Sequence, residues 1–244
     1  MYEDYRLIYD HHTHTIYSHG KGDIVDNVKV ARQKGIKEIA ITDHGPGHHF
    51  YGLDKKKLPE MRKKIEELKV IYPDVKVLLG VEANIVTMGN FLDITVEELK
   101  DYDIVLAGYH YGVSHGHVFD NYICSHFGFP SGSRQALEIL NTDMTIGALY
   151  ENDIAILTHP GDKGPFNIKE IAKVCAETNT LIEINNKHKH LTVEEIKMIE
   201  KYDVKFVVSS DAHKPEDVGC VGKSLQRARE AGIDFSRIAN IELS

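Results

Sequence analysis

Seven short apolar runs, separated by segments with the features of helices, constrain the fold of this chain more than any other part of its sequence. The runs occupy residues 7–9, 38–42, 75–82, 103–110, 153–159, 180–185 and 204–210. Most of them lack strict apolar and polar alternation, which is typical of strands buried on both faces in a parallel sheet. Right-handed crossovers place the connecting helices outside such a sheet, so the pattern predicts an α/β fold. We expect a closed or nearly closed barrel rather than an open doubly wound sheet.

The segments between the runs carry the start and stop signals of helices. Thr95 with Glu98, and Thr192 with Glu195, match the capping box, in which a hydroxyl and a carboxylate satisfy free backbone donors at a helix start. Gly35 ends the first of these segments and is a natural left-handed cap. These signals predict helices that alternate with the strands.

The composition limits the number of domains and the classes of function that the chain can have. The 244 residues contain no Pro- or Ser-rich linker and no internal repeat, so we expect one domain spanning residues 1–244. No apolar run is long enough to cross a bilayer, and the three cysteines form no C-x-x-C pair, so we expect a cytoplasmic protein with no membrane partner. The net charge of −8 argues against a nucleic-acid surface. Fifteen histidines are unusually many, and histidine is the commonest metal ligand.

Histidines and carboxylates follow or end nearly every predicted strand. These nine residues are His12, His14, His19, His44, Glu82, His110, His159, Asp211 and His213. In a parallel barrel the segments after the strands form one face, so all nine side chains are expected to converge there. An open sheet would spread seven strand ends along a line about 30 Å long and could not gather them.

The spacing within these motifs suits metal binding. In an extended strand, side chains two residues apart share a face, so His12 and His14 point the same way. Asp211 and His213 repeat this spacing. Glu82 ends an otherwise apolar strand, where a buried carboxylate is costly unless a cation or strong donors meet it. Together the motifs predict a metal site.

The number of ligands indicates how many ions the site would hold. A catalytic zinc usually has three protein ligands and an open position, so nine ligands suffice for about three ions if a carboxylate bridges. Three divalent ions and two carboxylates leave a net charge of about +4. Such a pocket attracts anions, and a phosphoryl group has enough oxygens to span several metals. We therefore expect a trinuclear centre that acts on phosphate esters.

Eight motifs in this order resemble those of a known family. They are HHTHT, SHG, ITDHGP, GVEANI, AGYH, THPG, EINN and SSDAH, and they span Asp10 to His213. They closely resemble the PHP (polymerase and histidinol phosphatase) family, and most of all its small stand-alone YcdX-type bacterial phosphatases. The resemblance implies a distorted seven-stranded (β/α) barrel, similar to a TIM barrel. It also implies a trinuclear metal site at the carboxyl-terminal face of the strands, usually with Zn²⁺ and sometimes with Mn²⁺ or Fe²⁺.

The resemblance further implies which residues hold each ion. The first ion would be held by His12, His14, Glu82 and Asp211. The second ion would share Glu82 as a bridge and would also be held by His110 and His159. The third ion would be held by His19, His44 and His213. No ligand position is replaced in this sequence, so we expect an active enzyme.

Our hypothesis for the reaction is hydrolysis of a small phosphomonoester by a hydroxide that bridges the first two ions. Glu82 and Asp211 are the catalytic carboxylates in this hypothesis. Asp10 shares a strand face with His12, and it could orient an imidazole by accepting its second N–H. The substrate class is a small phosphorylated metabolite, for which histidinol phosphate is one candidate.

Two long segments after strands are expected to contribute to substrate recognition. They span residues 45–57 and 111–133, and unstructured stretches of this length are usually functional. Arg134, Lys163 and Lys187 follow the fourth, fifth and sixth strands, and each is a candidate for clamping a phosphate. The sequence pattern predicts no particular oligomeric state.

Three other functions remain open. A nuclease or phosphodiesterase that acts on nucleotides or nucleic-acid ends would use the same metal chemistry, but the acidic net charge and the missing basic groove oppose it. An amidohydrolase barrel also begins with H-x-H and ends with Asp, but it leaves His19, His44 and Glu82 without a role. A metal-binding module without catalytic activity is the third alternative.

Overall fold

The computed structural model of the chain describes residues 5–128 and 130–243. Within these residues the strands are β1 (Tyr5–Leu7), β2 (Tyr9–Asp10), β3 (Glu38–Ile41), β4 (Lys76–Asn84), β5 (Ile104–Gly108), β6 (Ile156–Leu157), β7 (Leu181–Asn185), β8 (Phe206–Ser209) and β9 (Ile241–Leu243). The α-helices are α1 (Ile24–Gln33), α2 (Leu58–Ile71), α3 (Val96–Leu99), α4 (Val118–Phe127), α5 (Ser131–Glu151), α6 (Ile168–Thr178), α7 (Val193–Ile199) and α8 (Gly222–Ala231).

Seven of the strands form one parallel sheet in the order β2-β3-β4-β5-β6-β7-β8. The two edges of this sheet meet just beyond the carboxyl-terminal ends of β2 and β8, where Thr13 pairs in parallel with Ala212. There the amide of His14 donates a hydrogen bond of 2.8 Å to the carbonyl oxygen of Ala212. The sheet is therefore nearly closed, which confirms the predicted α/β barrel. All carboxyl-terminal strand ends lie at one face of this barrel.

Apolar side chains fill part of the barrel interior. Leu106 on β5, Ile156 on β6 and Val207 on β8 form one buried cluster, although β5 and β8 are not neighbours in the sheet. Side chains from strands that are not neighbours in the sheet can meet only in the barrel interior, so these three side chains point inward. Glu82 on β4 pairs in register with Leu106, so its side chain lies on the same inward side. The sheet thus places a carboxylate inside the barrel.

Helices cover the outside, as expected from the crossover rule. Ile24 and Val28 on α1 are fully buried, and burying an aliphatic side chain of this size contributes about 1.5–3 kcal/mol. The capping boxes at Thr95 and Thr192 are both formed, and Gly35 adopts a φ of 76°. Among the described residues, no helix combines the length and apolar character needed to traverse a bilayer.

The first predicted strand is divided between two sheets. Leu7 ends β1, which pairs antiparallel with β9, and only β2 enters the barrel. The prediction did not include β9, in which the acidic Glu242 separates the two apolar residues. This pair links the two ends of the described chain.

The segment 111–133 is not a long irregular loop, so that expectation is wrong. It contains α4 and the start of α5. Only Asn121 and Cys124 on α4 are buried, and Phe119 is 75% exposed, so no apolar period marks this helix in the sequence. The segment 45–57 is irregular, as expected, except for a single helical turn at its end, Lys55–Lys57.

Candidate metal centre

The nine predicted ligand residues all lie at the carboxyl-terminal face of the barrel, which we call the rim. Its members are His12, His14, His19, His44, Glu82, His110, His159, Asp211 and His213. Strand geometry positions them: His44, for example, follows β3 and forms a parallel bridge with Glu82 on β4. Residues that are up to 200 positions apart in sequence are thus neighbours.

The carboxylate of Glu82 lies at the middle of the rim. It is fully buried, and the Thr158 hydroxyl donates to its Oε1 at 2.7 Å. Three imidazole nitrogens surround Oε1, namely His159 Nε2 at 3.0 Å, His12 Nε2 at 3.3 Å and His110 Nε2 at 3.4 Å. Two more surround Oε2, namely His44 Nδ1 at 3.0 Å and His14 Nε2 at 3.6 Å. One carboxylate therefore faces five imidazoles from four segments of the chain.

Asp211 is the second carboxylate of the rim. Its Oδ1 lies 3.2 Å from His213 Nδ1, 3.5 Å from His14 Nε2 and 3.7 Å from His12 Nε2. Its φ is 52°, in the left-handed region that aspartate tolerates better than most residues. His12 and His14 therefore lie between Glu82 and Asp211.

His19 joins the rim from the segment beyond β2. Its ring centre lies 4.1 Å from that of His213 and 4.9 Å from that of His44. Tyr51 stacks on His19 with a distance of 4.3 Å between ring centres. The three histidines therefore form a second group beside the one around Glu82.

The rim residues form overlapping sets with metal-ligand spacing. Among the described residues, four sets of three each have ligand atoms within 4.8 Å of one another: His14 with His44 and His213, His12 with His159 and Asp211, His12 with His14 and Glu82, and His44 with Glu82 and His110. Shared members are expected when ions in a multinuclear centre have ligands in common. The spacing therefore fits more than one cation.

Unsatisfied atoms at the rim fit cations as well. Buried side-chain atoms without a hydrogen-bond partner in the described structure include His12 Nε2, His14 Nδ1 and Nε2, His19 Nδ1, His44 Nδ1 and Glu82 Oε2. An unsatisfied buried polar atom costs about 1–3 kcal/mol. Imidazole nitrogens and carboxylate oxygens are the ligands that divalent transition metals accept. Divalent cations would therefore satisfy the atoms that the protein leaves without partners.

The buried carboxylates of the rim stay ionised because positive charge lies close to them. Burial by itself would raise the pKa of Glu82, but His12 and His110 outweigh it and hold this pKa well below its ordinary value. Burial would also raise the pKa of Asp211, but His12, together with hydrogen bonds from His14, His188 and His213, holds this pKa well below its ordinary value. Burial would lower the pKa of His12, yet Glu82 and Glu183 raise it well above its ordinary value. Protons or metal ions would supply the missing charge.

Other rim histidines are held neutral. Burial lowers the pKa of His14 well below its ordinary value and also lowers the pKa of His110. Burial, assisted by the neighbouring His213, lowers the pKa of His19 to about 3. A neutral imidazole keeps a free lone pair, and metal binding requires that state. These side chains are thus prepared to act as ligands near neutral pH.

Two residues without a role in the sequence-based expectations contact the imidazoles of ligand candidates. Oε1 of Glu183 lies 2.6 Å from Nδ1 of His12, and Oδ1 of Asn84 lies 2.8 Å from Nδ1 of His110. Both lie in the quoted motifs EINN and GVEANI. Glu183 interrupts an apolar strand in the same way as Glu82, so that signal was available in the sequence.

Asp10 does not have the role expected of it. Its carboxylate accepts hydrogen bonds from the Ser210 hydroxyl at 2.5 Å and from the Gly219 amide at 2.8 Å. It therefore joins β2 to the segment after β8, and Glu183 is the residue that orients His12. The physical reason is that the near-closure of the sheet brings β8 beside β2, so donors from that side reach Asp10 first.

A cavity of about 250 Å³ opens over the rim. Its walls include Tyr51, Tyr111, Lys163 and Lys187. Nζ of Lys187 lies 2.8 Å from Nδ1 of His213, and Nζ of Lys163 lies 5.7 Å from the centre of the Tyr111 ring. Two of the three cations expected to bind substrate thus line the same cavity as the ligand candidates.

His188 adds a further cation to this cavity. Its Nδ1 lies 2.9 Å from Oδ2 of Asp162, and its Nε2 lies 3.3 Å from Oδ2 of Asp211. Burial opposes its protonation, but hydrogen bonds to the two carboxylates raise the pKa of His188 to about 9. An imidazolium therefore lines the cavity at neutral pH.

Arg134, the third expected phosphate-binding residue, lines a different cavity. That cavity measures about 310 Å³ and is also bounded by Asp162 and Phe166. Asp162 faces the Arg134 cavity, whereas the adjacent Lys163 faces the rim cavity. A contact between Arg134 and substrate stays a prediction.

Sequence profiles match almost the whole of the barrel. The PHP domain profile matches residues 10–187, which are more than half of the chain. The PHP-associated profile matches residues 194–231. The matched regions contain all nine rim residues.

Similar proteins are known from sequence and from structure. A probable phosphatase of Thermoanaerobacter sp. (strain X514) is 32% identical over 253 residues, covering 98% of this chain and 92% of that protein. A probable phosphatase of Shewanella frigidimarina is 30% identical over 250 residues, covering 96% and 89%. The crystal structure of histidinol phosphate phosphatase from Lactococcus lactis, complexed with zinc, L-histidinol and phosphate, has a TM-score of 0.65 and 17% identity, covering 93% and 95%. The structural similarity shows a shared fold.

Proposed function

Since the chain belongs to the PHP family and is a metal-dependent phosphatase of that family, we propose that it hydrolyses small phosphate monoesters at a centre of three divalent cations. Zn²⁺ is the proposed ion, with Mn²⁺ or Fe²⁺ as alternatives, because imidazoles and carboxylates suit these metals. One observation carries the proposal. The buried Glu82 carboxylate faces five imidazole nitrogens within 3.6 Å, and its Oε2 has no hydrogen-bond partner in the described structure.

We propose that the ligands are divided as the family resemblance implies. The first ion takes His12, His14, Glu82 and Asp211. The second takes Glu82, His110 and His159. The third takes His19, His44 and His213. The positions of His12 and His14 between the two carboxylates support the first set, and the contacts of His110 and His159 with Glu82 support the second. His19 lies beside His44 and His213, as the third set requires, although His14 lies within ligand spacing of the same two histidines.

The side chains of the rim cavity would bind and orient the phosphoryl group. Divalent cations, when bound, make hydroxide available near neutral pH and neutralise charge on the phosphoryl oxygens. Glu82 and Asp211 stay ionised and keep the ligand histidines in place. Lys163, Lys187 and the His188 imidazolium would contact phosphoryl oxygens that point away from the rim, because a phosphate accepts several charge-assisted hydrogen bonds.

A small organic group fits the proposed substrate best. The cavity of about 250 Å³ leaves room for a phosphoryl group and a group of metabolite size between Tyr51 and Tyr111. The Lactococcus lactis protein, which shares the fold, binds L-histidinol and phosphate, and this supports a histidinol-phosphate-like monoester. A net charge of −8 disfavours a nucleic-acid substrate.

We also propose that residues 1–244 form one domain in the cytoplasm. The PHP-associated region contributes β8, which is the seventh strand of the barrel, so neither matched region completes the sheet alone. Cys124, Cys175 and Cys220 are all free thiols, as expected in a reducing compartment.

Substitution at the rim tests the proposed function. His14→Ala and Asp211→Ala are each expected to abolish hydrolysis of p-nitrophenyl phosphate and of phosphorylated metabolites while circular dichroism stays unchanged. Asp143→Ala, at an exposed position on α5 outside both segments expected to recognise substrate, is the control and should keep wild-type turnover. Retained activity in both rim variants would contradict the proposal. Faster turnover of a diester or an oligonucleotide than of any monoester would instead favour a phosphodiesterase.

A further inference from the structure

We infer that Glu183 is a positioning residue that couples two of the proposed metal positions, by fixing His12 of the first and His159 of the second. The inference rests on the proposed metal centre and concerns how the protein prepares it. Glu183 lies in β7 and is fully buried. None of the proposed ligands comes from this strand.

Both oxygens of Glu183 already have hydrogen-bond partners. Oε1 lies 2.6 Å from Nδ1 of His12. Oε2 accepts from the backbone amide of His159 at 2.8 Å and from the side-chain amide of Asn185 at 2.9 Å. One carboxylate thus holds groups that follow β2 and β6, two strands that are not neighbours in the sheet.

These partners distinguish Glu183 from a metal ligand. Oε2 of Glu82 has no hydrogen-bond partner in the described structure, and Glu82 belongs to two of the sets with metal-ligand spacing. Glu183 belongs to none of those sets among the described residues. The two fully buried carboxylates therefore have different roles. Glu82 is a proposed metal ligand, whereas Glu183 forms hydrogen bonds to residues that are proposed ligands.

The contact with His12 determines which imidazole nitrogen is free. An ionised carboxylate only accepts hydrogen bonds, so Nδ1 of His12 must carry a proton toward Glu183. Nε2 is then the nitrogen that carries the lone pair in the neutral imidazole that metal binding requires, and it has no hydrogen-bond partner and lies 3.3 Å from Glu82 and 3.7 Å from Asp211. Glu183 therefore fixes the tautomer of His12 that can bind a cation between the two rim carboxylates.

The contact with His159 fixes its backbone. The φ of His159 is 29°, a positive value that a residue other than glycine rarely adopts. Its amide points at Oε2 of Glu183, and its Nε2 lies 3.0 Å from Oε1 of Glu82. The charge-assisted hydrogen bond offsets the strain of this backbone conformation, and it thereby aims the imidazole at the bridging carboxylate.

The isosteric change Glu183→Gln tests this inference because an amide has one accepting oxygen. If the oxygen faces His12, the amide group opposes the donor N–H of His159. If the amide group faces His12, it donates to Nδ1 and moves the imidazole proton to Nε2, where a cation should bind. We expect zinc affinity of the full-length protein, measured by competition with a chelator at neutral pH, to fall by about 10–100-fold.

Spectroscopy provides a readout that a merely structural role would not change. In the zinc-loaded wild type, the Nδ1–H proton of His12 should appear far downfield in the ¹H–¹⁵N spectrum, because it faces a carboxylate at 2.6 Å. It should move upfield in Glu183→Gln. Glu183→Asp, which keeps the charge, should retain a downfield proton and part of the zinc affinity. If Glu183→Gln does not fold, the shift of the His12 proton in the wild type, and its shift and the zinc affinity in Glu183→Asp, still test the inference.

A matched control comes from a second pair of histidine and glutamate. Oε2 of Glu195 lies 2.9 Å from Nδ1 of His190, away from the rim, so Glu195→Gln should leave zinc affinity at the wild-type value. Wild-type affinity in Glu183→Gln, or a His12 that binds zinc through Nδ1, would overturn the inference. A wild type that binds no metal would instead contradict the proposed function.

Discussion

Two regions of the barrel bury charged or polar side chains equally deeply, but they differ in whether the chain supplies hydrogen-bond partners for these groups. At the seam between β2 and β8, fully buried Asp10 accepts hydrogen bonds from Ser210 and Gly219, and fully buried Asn240 bonds to the backbone of both strands. At the rim, Glu82 is just as buried, yet its Oε2 has no hydrogen-bond partner in the described structure.

The difference separates architecture from function. A buried polar group that the chain satisfies holds strands together, whereas a buried group left without a partner lowers stability unless an external cation completes it. The seam therefore fits a structural role, and the rim fits a functional one. Substitutions in the two regions should then affect different properties.

The largest expected effect is on activity at the rim. Glu82→Gln should lower kcat/KM for a phosphomonoester by roughly 1,000-fold, since loss of an outer partner of a ligand alone costs about 10–100-fold. Activity within tenfold of the wild type would contradict a central role for Glu82 in the site.

The seam should show the opposite result. Asp10→Ala leaves the donors of Ser210 and Gly219 without their partner, so the free energy of unfolding should fall by about 3 kcal/mol. Zinc bound per folded chain should not change. Urea unfolding and elemental analysis measure the two properties, and loss of zinc without loss of stability would break the distinction between seam and rim.

Substrate contacts above the rim should have a smaller effect. Lys163→Ala and Lys187→Ala should each raise KM by about tenfold and change kcat less, because each removes one charge-assisted contact. Arg134→Ala tests the remaining expected contact, and it should change KM less than either lysine variant because it lines the neighbouring cavity. Steady-state kinetics of the three variants, side by side, would show which cavity holds the substrate.

The smallest expected effect comes from a half-buried carboxylate away from both regions. A hydrogen bond from His11, assisted by Lys76, lowers the pKa of Glu38 to about 2. Its stabilising contribution is therefore present above its ordinary pKa of 4.5 and is lost as the pH falls through about 2. Solvent screening limits it to below about 1 kcal/mol. In urea titrations, Glu38→Gln should lose less stability than the wild type between about pH 5 and pH 2.

The sequence predicted the barrel and the convergence of the nine rim residues for the same physical reason. Parallel strands place their carboxyl-terminal ends at one face, so residues that follow different strands become neighbours without any knowledge of individual contacts. His12 and Asp211 are about 200 positions apart, yet their side-chain atoms lie 3.7 Å from one another.

Contacts that depend on a particular partner could not be predicted in this way. Glu183 orients His12 across 171 positions, and His188 lies between two carboxylates from different segments. No periodic pattern encodes such pairings. The antiparallel pair of β1 and β9 was missed because both strands are short, and α4 was missed because few of its residues are buried.

The number of metal ions per chain tests the central claim most directly. The protein would be incubated with Zn²⁺, Mn²⁺ or Fe²⁺, freed of unbound metal by gel filtration, and subjected to elemental analysis beside Glu82→Gln. The account predicts about three ions per wild-type chain with at least one of these metals, and fewer in the variant. A wild type that retains none of the three metals, or a variant that retains as many ions as the wild type, would contradict it.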